Sequence, residues 1–531
     1  MWPLLMLLLV GSSNAQDWPV LAIRVSFPRE VPDDPTTTGD GRFDLRPSEE
    51  ARGEYRLPYD LPPHDRNYFR AHLWALGQYW YTASGGRIRI AFEVYPEEDT
   101  ASYTMPRPLI WYGSGRGEEG TRRLVQLFRD AVAALDSAED VNFSGFRSVV
   151  VFHAGVGRET GKYNDIPSAY LTPEDLERYG PVVAGGDTLR DGMILPEALS
   201  RDGIGGLNGL LAKVFGYSLG LPELSNSEDG LPAMGGWSLM DVGWLNPVEV
   251  EGKLGLGFVP CLPSAWELMH LGWLEPLEVV RDTTVWVAAS HLPEVPEGAV
   301  RAIRVPIGPD EYFLIENREA HYSGRGFPRG TAFSEGNQVW LGVDNYDASV
   351  PGSGILIWHV DEGVISEQPE GPNDDPLRRG IDLEEADGDE AIGNPYREGD
   401  LWGGPKDPFF IGGRHRFGPD TNPSSKSNRG WDTGIEVEVL DPPRDLMRVR
   451  ISFRRNFPGW PKDVAEDLSC SAPLPMTHEL LIPGKDKLYM LGLRDESLSL
   501  PAVPFGISAA GDIDDDGLLE VAFVDSSGTV W

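Results

Sequence analysis

Three sets of residues in this 531-residue chain have types and spacings that chemistry could use. The first is the acidic run Asp512-Ile513-Asp514-Asp515-Asp516-Gly517-Leu518-Leu519-Glu520. Asp512, Asp514 and Asp516 alternate along it and converge on one cation where the chain turns at Gly517. The Leu518 carbonyl and Glu520 add further oxygens, a donor set suited to calcium. The second is Gly216-Tyr217-Ser218-Leu219-Gly220, which matches G-x-S-x-G and would make Ser218 the nucleophile of a serine hydrolase. That turn needs a strand before the serine and a helix after it. Here the preceding residues have helical spacing and Pro222 follows almost at once. The third set is the nine histidines, of which no two stand four apart. His478-Glu479 has no second histidine at the spacing a helical zinc site requires. His153, His359 with Asp361, and Asp241 are the other titratable candidates. His153 ends an apolar strand and His359 lies in a strand of a different region, so both read as structural histidines with satisfied ring nitrogens.

The elements that position these residues change in texture along the chain. Residues 16–276 mix strands and helices. Phe69, Leu73, Leu76 and Trp80 share one helical face, as do Leu124, Phe128, Ala131 and Leu135. Ile88, Ile90, Phe92 and Val94 alternate as in a half-buried strand. Val149-Val150-Val151-Phe152 is apolar on both faces, as at the centre of a covered sheet. Leu210, Leu211, Val214, Phe215 and Leu219 predict an apolar helix that stops at Gly220-Leu221-Pro222. Residues 277–455 are dominated by short strands between Gly, Pro and Asp, the pattern of an all-β, sandwich-like domain. Within them Gln368–Gly412 reads as a long surface insertion, and Asp382–Asp389 as an acidic surface loop. A third texture covers 456–531, with strands at Lys487–Leu491 and Val521–Val524. These strands are too few to close a propeller or sandwich, so the region reads as the opening of something that continues beyond Trp531.

Over about Val20 to Arg455 the sequence resembles the immune-inhibitor-A-like secreted metallopeptidases (peptidase family M6). The resemblance rests on Pro62-Pro63-His64-Asp65, Ser84-Gly85-Gly86-Arg87, Phe152-His153-Ala154-Gly155, Leu195-Pro196-Glu197, Pro263-Ser264-Ala265-Trp266 and Leu271-Gly272-Trp273. It continues through Leu314-Ile315-Glu316-Asn317-Arg318, Ile357-Trp358-His359-Val360-Asp361 and Glu384-Glu385-Ala386-Asp387. It implies an α+β chain: a zincin-like α/β domain, degenerate at its site, followed by a β domain. The family's active helix carries His-Glu-Phe-Gly-His, in which two histidines bind zinc and the glutamate is the general base. In this sequence Lys213 stands at the first histidine position, Val214 at the general-base position and Tyr217 at the second histidine position. Glu223 keeps a carboxylate at the third-ligand position, and Met240 in Ser238-Leu239-Met240-Asp241 matches the methionine turn. A cation, an isopropyl group and a phenol do not make a zinc site. The expectation is therefore a pseudopeptidase without zinc, its Lys213 ammonium paired with Glu223. The acidic run before Val521–Val524 resembles the integrin-type FG-GAP calcium repeats of β-propellers, because a strand rather than a helix follows it.

The net charge of −37 disfavours binding of a phosphate backbone, and two cysteines, Cys261 and Cys470, are too few for a disulfide scaffold or a Cys-rich zinc module. Whether those two pair stays open. Leu4 to Val10 is apolar and Ser13-Asn14-Ala15 has the small-x-small form of a cleavage site, so Met1–Ala15 reads as a signal peptide on a secreted or surface-exposed protein. No stretch has the ~20 apolar residues of a membrane-spanning helix. The expected function is binding, adhesion or scaffolding toward a protein or peptide partner. The rival readings are a zinc-dependent secreted endopeptidase of the M6 type and, more remotely, a serine hydrolase using Ser218.

Overall fold

In a computed structural model of the chain, the described residues are 15–250, 252–320, 327–397 and 400–454, together with strands between 474 and 525. The signal-peptide reading, Cys470 and residues 512–519 of the acidic run lie outside the described residues.

The apolar runs of the first 200 residues form one sheet. Its main strands are β1 (Gln16–Ser26), β2 (Ile88–Tyr95), β3 (Ser148–Val156), β4 (Ala169–Leu171) and β5 (Gly192–Ala198), in the order β2-β1-β3-β5-β4, and a short sixth strand, Tyr103–Thr104, pairs with the end of β1. The first four in that order are parallel, and β4 runs antiparallel at the edge. Val20 to Ile23 and Val150 to Phe152 are fully buried, as expected for strands covered on both faces. The covering helices are α1 (Arg66–Ala83) and α2 (Gly117–Ala138), at the places their apolar spacing predicts. Asp65 caps α1 by accepting the Tyr68 N–H. Strand β5, with sequence GMILPEA, was not foreseen; all seven of its residues are buried.

A third helix, α3 (Leu207–Ser218), carries the motif region. No side chain of its own caps its start; instead Asp60 accepts the Leu207 N–H at 3.1 Å. Gly209 is required for its packing, because a Cβ there would lie 1.9 Å from the Trp244 carbonyl oxygen. The helix ends as its sequence predicts. Gly220 takes φ +102° and the Leu221 N–H returns to the Gly216 carbonyl, a Schellman-type stop that turns the chain back toward the helix.

After α4 (Ala265–His270) the chain becomes β-rich. Its strands are β6 (Leu277–Glu278), β7 (Thr283–Ala288), β8 (Ala299–Val300), β9 (Ala302–Pro306) and β10 (Glu311–Arg318). They continue with β11 (Gly354–Asp361), β12 (Ile381–Leu383), β13 (Arg416–Phe417), β14 (Ile435–Val439) and β15 (Leu446–Phe453). One sheet has the order β6-β9-β10-β11-β12 and the other β8-β7-β15-β14-β13. They meet through buried aromatic rings, Phe313 of β10 lying 5.0 Å from Phe417 of β13. One expectation needs correction. Gln368–Gly412 is not a plain surface insertion: it contributes β12, and Ala386, Ile392 and Phe409 are buried. A new sheet starts at residue 277, inside a compact unit that runs to Ser452.

The second unit begins at Phe453. It contains a four-stranded antiparallel sheet, β16 (Leu474–Pro475), β17 (Glu479–Pro483), β18 (Lys487–Gly492) and β19 (Glu496–Ser499). A further antiparallel pair joins β20 (Pro504–Gly511) to β21 (Glu520–Asp525). In sequence the acidic run lies between those two strands. No helix among the described residues is long and apolar enough to cross a membrane.

Candidate functional site

The last two turns of α3 and the returning segment 221–225 bring Lys213, Tyr217 and Glu223 together. The Lys213 Nζ donates to Glu223 Oε1 at 2.9 Å and to the Asp241 carbonyl at 3.3 Å. The Tyr217 hydroxyl donates to Glu223 Oε2 at 2.5 Å. Oε1 also accepts from the Leu224 N–H at 3.2 Å and from the Ser225 N–H and hydroxyl at 3.1 and 2.8 Å. Lys213 and Glu223 pair, as expected from the positions that the family resemblance gives them. The carboxylate's other partners were not foreseen: Leu224 contributes backbone, and Ser225 has no motif to mark it.

The electrostatics follow from this geometry. Burial pushes the Glu223 carboxyl up, but Lys213 and the Tyr217 hydrogen bond outweigh it and hold the group below the usual glutamate range. Burial, and then the adjacent Glu223 charge, push the Tyr217 phenol well above its ordinary value. The carboxylate therefore stays charged and the phenol stays a donor near neutral pH, and neither is poised to move a proton. Val214 is 3% exposed and part of the core.

Zinc does not fit this set. Five donors point at one carboxylate, which has about four lone-pair directions to offer. Besides Glu223, the side chains at ligand positions are the Lys213 ammonium, whose charge opposes a metal cation, and the protonated Tyr217 phenol, where a zinc site needs three or four deprotonated ligands.

The floor of the site is Met240. A Cβ on Gly216 would lie 2.7 Å from the Met240 sulfur, so the methionine sits directly against α3. The Met240 N–H is held at 2.9 Å by Glu267 of α4. Asp241, next in sequence, is fully buried and uses Oδ2 to accept the N–H groups of Ala233, Met234 and Gly235 at 2.9, 2.6 and 2.7 Å. Burial pushes its carboxyl up to about 7. It fastens the loop 233–235. On the other side Tyr170 of β4 stacks with Tyr217, with ring centroids 6.4 Å apart.

The remaining candidates lie elsewhere. Ser218 is the last residue of α3 and donates to the Phe215 carbonyl at 2.8 Å, so the strand-before-serine context of a hydrolase turn is not found. His153 is fully buried, with Nδ1 at 3.0 Å from the Ala154 carbonyl, but its Nε2 has no hydrogen-bond partner among the described residues, which corrects the expectation of satisfied ring nitrogens. His359 lies between Glu311 at 2.8 Å and Glu384 at 3.1 Å, while Asp361 caps the helix Glu362–Glu367. The two therefore do not form a relocated pair. Cys261 is fully buried.

Sequence reasoning also passed over Glu385, Asp387 and Asp407, whose carboxylate oxygens lie within 4.8 Å of one another. Glu385 and Asp407 are buried, which corrects the reading of Asp382–Asp389 as a surface loop. Burial pushes both carboxyls up to about 7. An all-oxygen donor set could hold a hard divalent cation. Only the Glu-x-Asp pair is visible in sequence; Asp407 joins it through the fold.

No family model matches the chain, and no curated protein matches it.

Proposed function

We propose that this protein is a secreted, M6-like pseudopeptidase that acts by binding a protein or peptide partner through a zincin-like domain. The single observation behind this reading is that Lys213 and Tyr217 both donate to Glu223, so a cation–carboxylate–phenol cluster occupies one end of α3. A hydrolytic zinc centre has no base and no open ligand in such a cluster. The half-buried Tyr170–Tyr217 stack beside the edge strand β4 supports a retained binding role, because an edge strand offers unpaired backbone groups to an extended peptide. The second unit belongs to the same proposal as the start of a calcium-stabilised repeat. Its support is the spacing of Asp512, Asp514 and Asp516 ahead of Gly517, and the strand β21 that begins at Glu520.

Two measurements test the peptidase part. Elemental analysis of the purified protein should find zinc well below one equivalent, and casein should be hydrolysed no faster with zinc than with a chelator. Stoichiometric zinc with chelator-sensitive turnover would overturn the proposal. The triple change Lys213→His, Val214→Glu and Tyr217→His should raise zinc affinity if the surrounding frame is that of a zincin.

A further inference from the structure

Just past the C-terminal end of α3, Leu219 lines an open groove of about 480 Å³, within the size range of small-molecule sites. It is framed by the first residues of β1 and β2 and by the C-terminal ends of α3 and α4. Its walls include Trp18, Leu219, Leu271 and Trp273, and its rim carries Arg87 and Arg147. The Arg147 guanidinium stacks 3.6 Å from the Trp18 ring, and the Trp18 Nε1 is fixed by the Ser148 hydroxyl at 2.9 Å. Arg87 is steadied by donating to the Ser84 carbonyl at 2.8 Å.

Both guanidiniums are exposed, and among the described residues neither is paired with a carboxylate. What sets these two apart is their place: they share the rim of one groove. Two planar, bidentate donors without a counter-charge, set over aromatic and aliphatic walls, complement a carboxylate carried on an apolar tail. Stacking on Trp18 also limits the side-chain freedom that Arg147 would lose on binding.

We infer that this groove binds a small apolar carboxylate, with Arg87 and Arg147 holding the carboxylate and Leu219, Leu271 and Trp273 holding the tail. The inference is independent of whether α3 ever held a metal.

The test is calorimetric titration of the purified chain with 4-phenylbutyrate and with 4-phenylbutyramide, which has the same tail without the charge. The acid should bind at least about tenfold more tightly than the amide, the ratio expected when a charge-assisted bidentate contact is lost. The double variant Arg87→Gln, Arg147→Gln should lose that preference while keeping the circular dichroism spectrum of the parent. Equal affinity for acid and amide, unchanged binding by the double variant, or no binding by the parent would each overturn the assignment. A third arm uses a tripeptide ending in phenylalanine. If it binds and 4-phenylbutyrate does not, the occupant is a peptide C-terminus and the small-molecule assignment falls.

Discussion

Replacing Lys213 with methionine keeps the apolar stem and removes the ammonium. Breaking a fully buried ion pair by deleting one partner costs about 3–5 kcal/mol, and deleting one from a solvent-exposed pair costs about 1 kcal/mol or less. The Lys213 side chain is 11% exposed and that of Glu223 is 25% exposed, so this pair lies between those limits. Glu223 would keep Tyr217, Leu224 and Ser225 as donors, which softens the loss. The expected cost is therefore about 2 kcal/mol at neutral pH. Its pH dependence has a definite sign. Glu223 titrates below its ordinary value in the folded protein, so its contribution is present above the unfolded value of about 4.3 and fades as pH falls through the folded one. The difference between parent and Lys213→Met should be constant from about pH 6 to 8 and shrink toward about pH 3. Urea unfolding of the parent, Lys213→Met, Glu223→Gln and the double variant closes a cycle. A coupling below about 0.5 kcal/mol, or a cost that does not shrink in acid, would show that the pair does not hold this end of α3 together.

Three further outcomes follow from the same structure. Gly216→Ala should destabilise by about 1–3 kcal/mol in urea, because its Cβ would press on the Met240 sulfur; a neutral result would mean that Met240 is not seated against α3. His359, held between Glu311 and Glu384, has its pKa raised to about 9 although burial alone would lower it. Its contribution should be complete below about pH 6.5 and decline as pH rises through about 9, so His359→Gln should flatten that alkaline decline in thermal melts. Arg318→Met would strand the fully buried Asp347, and a loss of about 3–5 kcal/mol should appear as a lowered unfolding midpoint that Asp347→Asn partly restores.

Much of the site was legible because the residues of α3 keep a helical period and a glycine stop whatever stands at positions 213, 214 and 217. The pairing of Lys213 with Glu223 was expected through the family resemblance, which sets both residues at metal-ligand positions. The Asp241 carbonyl and the Leu224 N–H are backbone groups, and no residue type announces them. In the fold, α1, α2, β2 and β3 were legible through their apolar spacing. Strand β5 was not, since its Gly and Pro read as breakers while burial on every side removes alternation. The acidic, Gly- and Pro-rich composition of 368–412 suggested solvent. The segment instead folds back on the molecule: the Trp402 carbonyl accepts the Gly236 N–H at 2.8 Å, and the Asn373 amide donates to the Leu224 carbonyl at 3.0 Å.

The Arg318 guanidinium reaches the Trp237 carbonyl at 2.8 Å and the Leu262 carbonyl at 2.9 Å, both ahead of the first strand of the β-rich part. From the same strand, Glu316 accepts the Ala265 N–H at 3.2 Å. A fragment ending at residue 276 would leave those buried carbonyls without a donor and open the apolar underside of α4 to water. The natural severing point for anyone wishing to isolate the Met240 loop in working order is therefore near residue 453, where the second unit starts.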